Sequence, residues 1–223
     1  MDEMDAFFPH GRESQLAAQR LVSERAVVKD AYGVIHFIAG VDQAFVDDKI
    51  ISGIVVLDYN SLAVMEKVHS IRHLDFPYIP TFLSFREGPA IIDAYEKLSI
   101  VPDMLIVDGA GINHPRRAGI ATHIGVALDV PTIGITKKIL CGVGKEPQQP
   151  GEANPLVYNN SRVGWLFKTG RRSRAIVVAP GHRISLDSSL SVVRACLRGH
   201  KLPEPVKLAH EYVSGLKKKW PNH

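Results

Sequence analysis

The stretch that most constrains the fold is residues 101–123, VPDMLIVDGAGINHPRRAGIATH. Met104, Leu105, Ile106 and Val107 are consecutive apolar residues, the pattern of a short strand covered on both faces, which places Asp108 at a strand end. Gly109 and Gly111 then permit a tight turn and leave room for another molecule to approach the main chain. His114, Arg116 and Arg117 stand on that loop, and Ile120, Ile124, Ala127 and Leu128 recur at helical spacing from about residue 116 to 128. The unit reads strand, loop, helix, and ligands of open α/β sheets gather beyond the carboxyl ends of such strands. Taken singly, Asp108 reads as a turn cap and His114 as a polar loop residue. Taken together, a buried strand that delivers a carboxylate beside a basic, glycine-opened loop suits a cation and a phosphate.

The flanking chain follows an α/β pattern. An amphipathic helix is expected over 12–29, with Ala17, Leu21 and Val28 on its packed face. Apolar strands follow at 34–42, ending in Asp42, at 49–59 and at 62–72, with short connections that imply an antiparallel meander. In PYIPTFLSFREGPA (77–90) two prolines fix φ on either side of Tyr78 and Ile79, making a stiff loop with an aromatic tip. Glu87 then precedes a helix expected at 89–99. Beyond the central unit come a strand at 131–138 ending in Lys137 and Lys138, a loop at 142–155, a hairpin turning at Asn159-Asn160, and a strand at 174–181. Helices are expected at about 187–198, capped by Ser185, and 204–219, carrying His210. This is an α/β pattern that one ribonuclease-H-like domain over residues 1–223 would give, a central mixed sheet flanked by helices, and the pattern alone does not fix the topology.

With 223 residues the chain is long enough for one sizeable core. No apolar run approaches the length of a spanning helix, and MDEMDAFFPH at the start lacks the basic and apolar regions of a secretory signal. Cys141 and Cys196 are too few for a disulfide framework, so a reducing cytoplasm is the expected compartment. The net charge of +4 is modest, but positive residues cluster at Arg116–Arg117, Lys137–Lys138, Arg171–Arg172–Arg174 and Lys217–Lys219. Such clusters suit a polyanion, or, read blandly, solvated faces. CGVGKEP is no phosphate loop, since it lacks the earlier glycine and the following Ser/Thr.

Asp42, Glu87 and Asp108 each lie beside an apolar element. Spacing leaves open whether they meet; together they would offer the hard oxygen ligands that Mg²⁺ prefers. The motifs IAGVD (38–42), PYIP with FLSFRE (77–87), VDGAG…HPRR (107–117), DVPTIGITKK (129–138), GHRIS (181–185) and LPEP (202–205) resemble, in order and spacing, those of the endonuclease V family of deoxyinosine-specific repair nucleases. The resemblance covers about residues 14–213. It implies a ribonuclease-H-like fold and Mg²⁺- or Mn²⁺-supported cleavage at the second phosphodiester 3′ to a deaminated base, leaving 3′-hydroxyl and 5′-phosphate ends. DNA carrying deaminated bases is the implied partner, inosine-containing RNA a second candidate, and a monomer the expected state.

Residue by residue, the resemblance makes Asp42, Glu87 and Asp108 metal ligands, His210 a further metal-site or water-contacting residue, and Lys137 a partner of the scissile phosphate. Pro77, Tyr78, Ile79 and Pro80 match a wedge that keeps strands apart. Leu83, Gly111, His114, Gly119 and Ile120 match the pocket for the extruded base, and Arg116, Arg117 and Lys138 are expected on the nucleic-acid backbone. Two positions depart from many relatives, Ala110 in place of His or Asn and Thr81 in place of Gly. Rival readings are another ribonuclease-H-like nuclease, a metal-independent binding module, and a small-molecule phosphoesterase.

Overall fold

In the central strands, alternate residues point to opposite faces, and both faces are apolar. In the computed structural model, which describes residues 6–220, Phe37–Val46 (β1), Lys49–Asp58 (β2) and Val64–His73 (β3) form the expected antiparallel meander. Met104–Asp108 (β4) and Thr132–Thr136 (β5) add in parallel beside β1. Ile176–His182 (β8) pairs antiparallel with β5 and continues into the hairpin of Ala153–Tyr158 (β6) and Ser161–Phe167 (β7). The eight strands make one sheet in the order β3-β2-β1-β4-β5-β8-β7-β6. The mixed sheet with helices on both faces is the ribonuclease-H-like α/β architecture. Asn159 and Asn160 both adopt positive φ, as the tight hairpin turn requires.

The alternation divides the core in two. Ile38, Val55, Met104, Ile106, Ile133 and Ile135 pack under Leu186–Ala195 (α4) and Glu204–Lys218 (α5). Ala39, Val41, Ile54, Leu105 and Val107 pack under Leu83–Tyr95 (α2) and Ile120–Leu128 (α3). Arg12–Arg25 (α1) lies against α3. Ser185 caps α4 as expected, its hydroxyl accepting from the Ser188 amide at 3.1 Å. Among the described residues no helix is long and apolar enough to cross a membrane.

Two expectations need correction. The packed face of α1 is Gln15, Ala18, Gln19 and Val22, while Ala17 and Val28 are exposed. A buried face carrying two glutamines hides from a search for apolar periodicity, and Gln19 is there because it has hydrogen-bonding work inside. The helix after the PYIP loop also begins earlier than 89, at Leu83, and runs through Pro89. Proline normally breaks a helix interior; here Phe85 before it and Ile91, Ile92 and Ala94 beyond it are all buried, in separate parts of the core, and packing on both sides of the proline overrides the local preference.

Candidate active site

Each acidic residue is delivered by a different element. Asp42 sits within β1, which continues past it to Val46, and is only 7% exposed. The helix α5 lies directly over this strand because Gly40 has no side chain: a Cβ there would stand 1.9 Å from the Pro205 carbonyl oxygen. That close approach brings His210 to Asp42, Nδ1 donating to Oδ2 at 2.7 Å. Glu87 is inside α2, one turn before the buried Ile91, and is itself 6% exposed. Asp108 ends β4, in register with Ile135, so Lys137 just beyond β5 donates its Nζ to Asp108 Oδ2 at 2.8 Å.

The three carboxylates share one electrostatic environment. Burial raises the Asp42 pKa, and the charge of Asp108 raises it further, against the Gln43 amide and His210, which favour the anion. Glu87 is pushed up to about 8, first by burial and then by Asp42, with Arg86 opposing and Asp108 adding to the rise. Lys137 stays above the ordinary lysine range, because although burial works against its charge, Asp108 and Asp42 more than compensate. Buried carboxylates that repel one another need positive charge. Lys137 supplies part of it, on one oxygen of Asp108, while His210 gives one oxygen of Asp42 a hydrogen bond. The oxygen-only acidic set suits a hard divalent cation such as Mg²⁺. Among the described residues no three His, Cys, Asp or Glu side chains are already drawn together as a finished cage. The donor chemistry fits; closing on an ion requires the side chains to draw in.

Beside Asp108 opens a cavity of about 430 Å³. Tyr78, Ile79 and Pro80 form one wall, Leu83, His114, Gly119 and Ile120 line the interior, and Lys137 and Lys138 stand at the rim. The structure thus brings together the expected wedge, most of the expected base pocket and the Lys137–Asp108 pair. Gly111 does not line the cavity; its Cα packs so tightly against β8 that a Cβ would lie 2.3 Å from the Pro180 carbonyl oxygen. His114 is almost wholly buried and neutral, its pKa lowered to about 4 by burial, against the Thr81 carbonyl and with help from Arg116. A separate cleft of about 350 Å³ between α2 and β3 is lined by Arg72, Asp93 and Arg86 and contains none of the three acidic residues.

The expected backbone contacts divide. Lys138 is exposed and Arg117 partly so, whereas Arg116 turns its guanidinium inward, donating to Thr81 O at 3.0 Å, Thr81 Oγ1 at 2.6 Å and the Gln19 side-chain oxygen. Sequence reading missed Gln19 and Thr81 as polar partners; the glutamine on the packed side of α1 was the signal available.

A family model described as Endonuclease V matches residues 16–211. Among curated proteins, Endonuclease V of Dictyoglomus thermophilum is 46% identical, the match covering 91% of this chain and 89% of that one. Among solved structures, the Endonuclease V of Bacillus subtilis superposes with a TM-score of 0.89 at 31% identity, over 95% of this chain and 94% of that one. The Ciona intestinalis Endonuclease V, in complex with a 24mer DNA containing an inosine followed by a ribo-adenosine, shares the fold with a TM-score of 0.82 at 21% identity, over 94% of this chain and 98% of that one.

Proposed function

The chain belongs to the endonuclease V family, and on that premise we propose that it cuts DNA at deaminated bases, chiefly inosine, hydrolysing the second phosphodiester 3′ to the lesion to leave 3′-hydroxyl and 5′-phosphate ends. Inosine-containing RNA is the second substrate we assign to the same site. The observation that carries the reading is the shared cavity: one opening is bounded by the Pro77–Pro80 loop, the His114 pocket and the Asp108–Lys137 pair. On this reading, selection of a base and cutting of a strand take place side by side. The DNA complex solved for the Ciona enzyme supports inosine-bearing DNA as the ligand class.

In this reading Asp42, Glu87 and Asp108 would hold Mg²⁺ or Mn²⁺, and the bound ion would supply Lewis-acid chemistry to phosphate and water. The chain's own groups do the rest. Lys137 stands over Asp108 with its charge secured, where it offsets negative charge growing on the phosphate. His210 fixes the Asp42 carboxylate by the bond from Nδ1 and so orients its other oxygen. Tyr78 is 69% exposed at the tip of the proline-stiffened loop and stacks in the gap left by the departed base. The base enters the cavity, where the neutral His114 and the walls of Leu83, Gly119 and Ile120 exclude water. A mismatched inosine is easier to unstack than a paired base, which favours the lesion before any contact is made. Lys138 and Arg117 follow the backbone outside.

The test is a duplex with one inosine, labelled at both ends and incubated with protein and Mg²⁺ or Mn²⁺. A single cut at the second phosphodiester 3′ to inosine, absent from the undamaged duplex, is expected. Equal cutting of undamaged duplex, or none with either ion, would overturn the reading.

A further inference from the structure

We propose that Arg116 is a positioning residue which bolts the strand-separating loop to the base pocket through Thr81, rather than a contact for the nucleic-acid backbone. The inference rests on the reading of Pro77–Pro80 as that loop. Thr81 follows it immediately and has φ of 68°, a left-handed conformation that a β-branched residue adopts only when its surroundings hold it there. What holds it is a knot of polar groups from three parts of the chain. Its carbonyl oxygen accepts from Gln19 Nε2 at 2.7 Å, from His114 Nε2 at 3.1 Å and from Arg116 Nη2 at 3.0 Å. Its hydroxyl accepts from Arg116 Nη2 at 2.6 Å, and Arg116 Nε donates to the oxygen of the same Gln19 side chain.

The fork of a guanidinium is what lets one side chain serve Thr81 and Gln19 together, and a lysine ammonium has no such geometry. Arg116 is pinned further by its place over the Phe82 ring, 4.8 Å from the centroid. His114 completes the arrangement: its Nδ1 accepts from the Arg116 amide at 3.2 Å, so its Nε2 carries the proton given to Thr81. The residue that walls the base pocket and the residue that ends the wedge therefore share one oxygen. At the other end of the loop, Arg86 Nη1 donates to the Phe76 carbonyl at 2.8 Å. The wedge hangs between two arginine anchors with Tyr78 projecting. Entry of a base beside His114 and the set of Tyr78 are mechanically one event.

Hydrogen exchange and kinetics test this on Arg116→Lys and Thr81→Val, the second removing only the hydroxyl. In Arg116→Lys, amide exchange within residues 78–85 is expected to rise roughly tenfold, the worth of a charge-assisted hydrogen bond, with the rest of the chain unchanged. In Thr81→Val the rise is smaller, and the double variant exchanges no faster than Arg116→Lys alone. Cleavage at inosine in a duplex falls about tenfold in kcat/KM for Arg116→Lys, single-stranded inosine suffers less, and the salt dependence of binding is unchanged. Unchanged exchange with a shallower salt slope would make Arg116 a phosphate contact and overturn the proposal. So would a rise in exchange spread over the whole chain, which would assign Arg116 to general stability. Exchange reads the anchor without any cleavage, so its result stands apart from whether inosine is cut.

Discussion

The two halves of the site differ in how completely their polar groups are satisfied. Around Thr81 a carbonyl takes three donors, a hydroxyl takes another, and the participating Gln19 is wholly buried. Around the acidic residues, burial and neighbouring charge raise the pKa of Asp42 and Glu87, and the direct partners are Lys137 on Asp108 and the exposed His210 and the Gln43 amide on Asp42. The difference teaches a division of labour. On the proposed function, the half assigned to choosing a base is built in advance, since selectivity depends on a rigid shape, and the half assigned to cutting is left short of positive charge, to be completed by what binds there.

The largest effect is expected from the unfinished half. Asp108→Asn keeps the shape of the side chain but removes the charge that holds a cation and Lys137. Turnover should fall by at least about a thousandfold, from the several kcal/mol that such an ion supplies, while affinity for inosine duplex changes less than about threefold. Single-turnover assays alongside gel-shift titration check this, and a folded variant that cuts normally would remove Asp108 from the chemistry. Lys137→Ala comes next. Its loss should appear in kcat, by about a hundredfold, as for a group that acts on charge developing in the transition state. A defect confined to KM would move Lys137 to the docking surface and blur the boundary between the halves.

Tyr78→Ala probes the built half. Base–aromatic stacking is worth roughly 1–3 kcal/mol, so cleavage of duplex inosine should fall about ten- to a hundredfold, and of single-stranded inosine by less. Equal losses on both would make Tyr78 a general strand contact. The smallest effect concerns stability. His123 is fully buried between Phe8 and Phe85, its Nε2 bonded to the Phe7 carbonyl at 2.7 Å, and burial lowers its pKa to about 4 despite that bond. Below the unfolded pKa of about 6.5 the unfolded chain takes up a proton that the folded chain refuses, so this contribution is lost as pH falls from 6.5 to 4. Glu87 acts with the opposite sign, since its raised pKa favours the metal-free fold as pH falls from about 8. Comparison with His123→Phe isolates the histidine: the wild type should lose on the order of 3 kcal/mol relative to the variant across that window in urea titrations. A constant difference would show that His123 is protonated in the folded chain.

Much of the cutting half was legible in the sequence because it is anchored on strands. Met104–Val107 is an apolar run without interruption, and Asp108 and Lys137 follow from the ends of adjacent parallel strands. Glu87 stood out in the sequence as a carboxylate but not as a helical residue, since Pro89 argues locally for a helix start and only burial of residues on both sides of it, Phe85 before and Ile91 after, carries the helix through. The built half was less legible. Arg116 and Arg117 look alike as a basic pair, yet one turns inward and the other adopts a left-handed φ of 56°. What separates them is the position of Gln19, 97 residues away in the chain, and contacts of that range have no local signature.

The most direct test of the division of labour is binding in the absence of metal. With EDTA present, fluorescence anisotropy on an inosine duplex and on its undamaged counterpart should show at least about tenfold preference for inosine, with no cleavage, and cutting should begin when Mg²⁺ is added. If preference for inosine vanishes in EDTA and returns with Mg²⁺, the base-selecting half is not complete in advance, and the central claim is wrong.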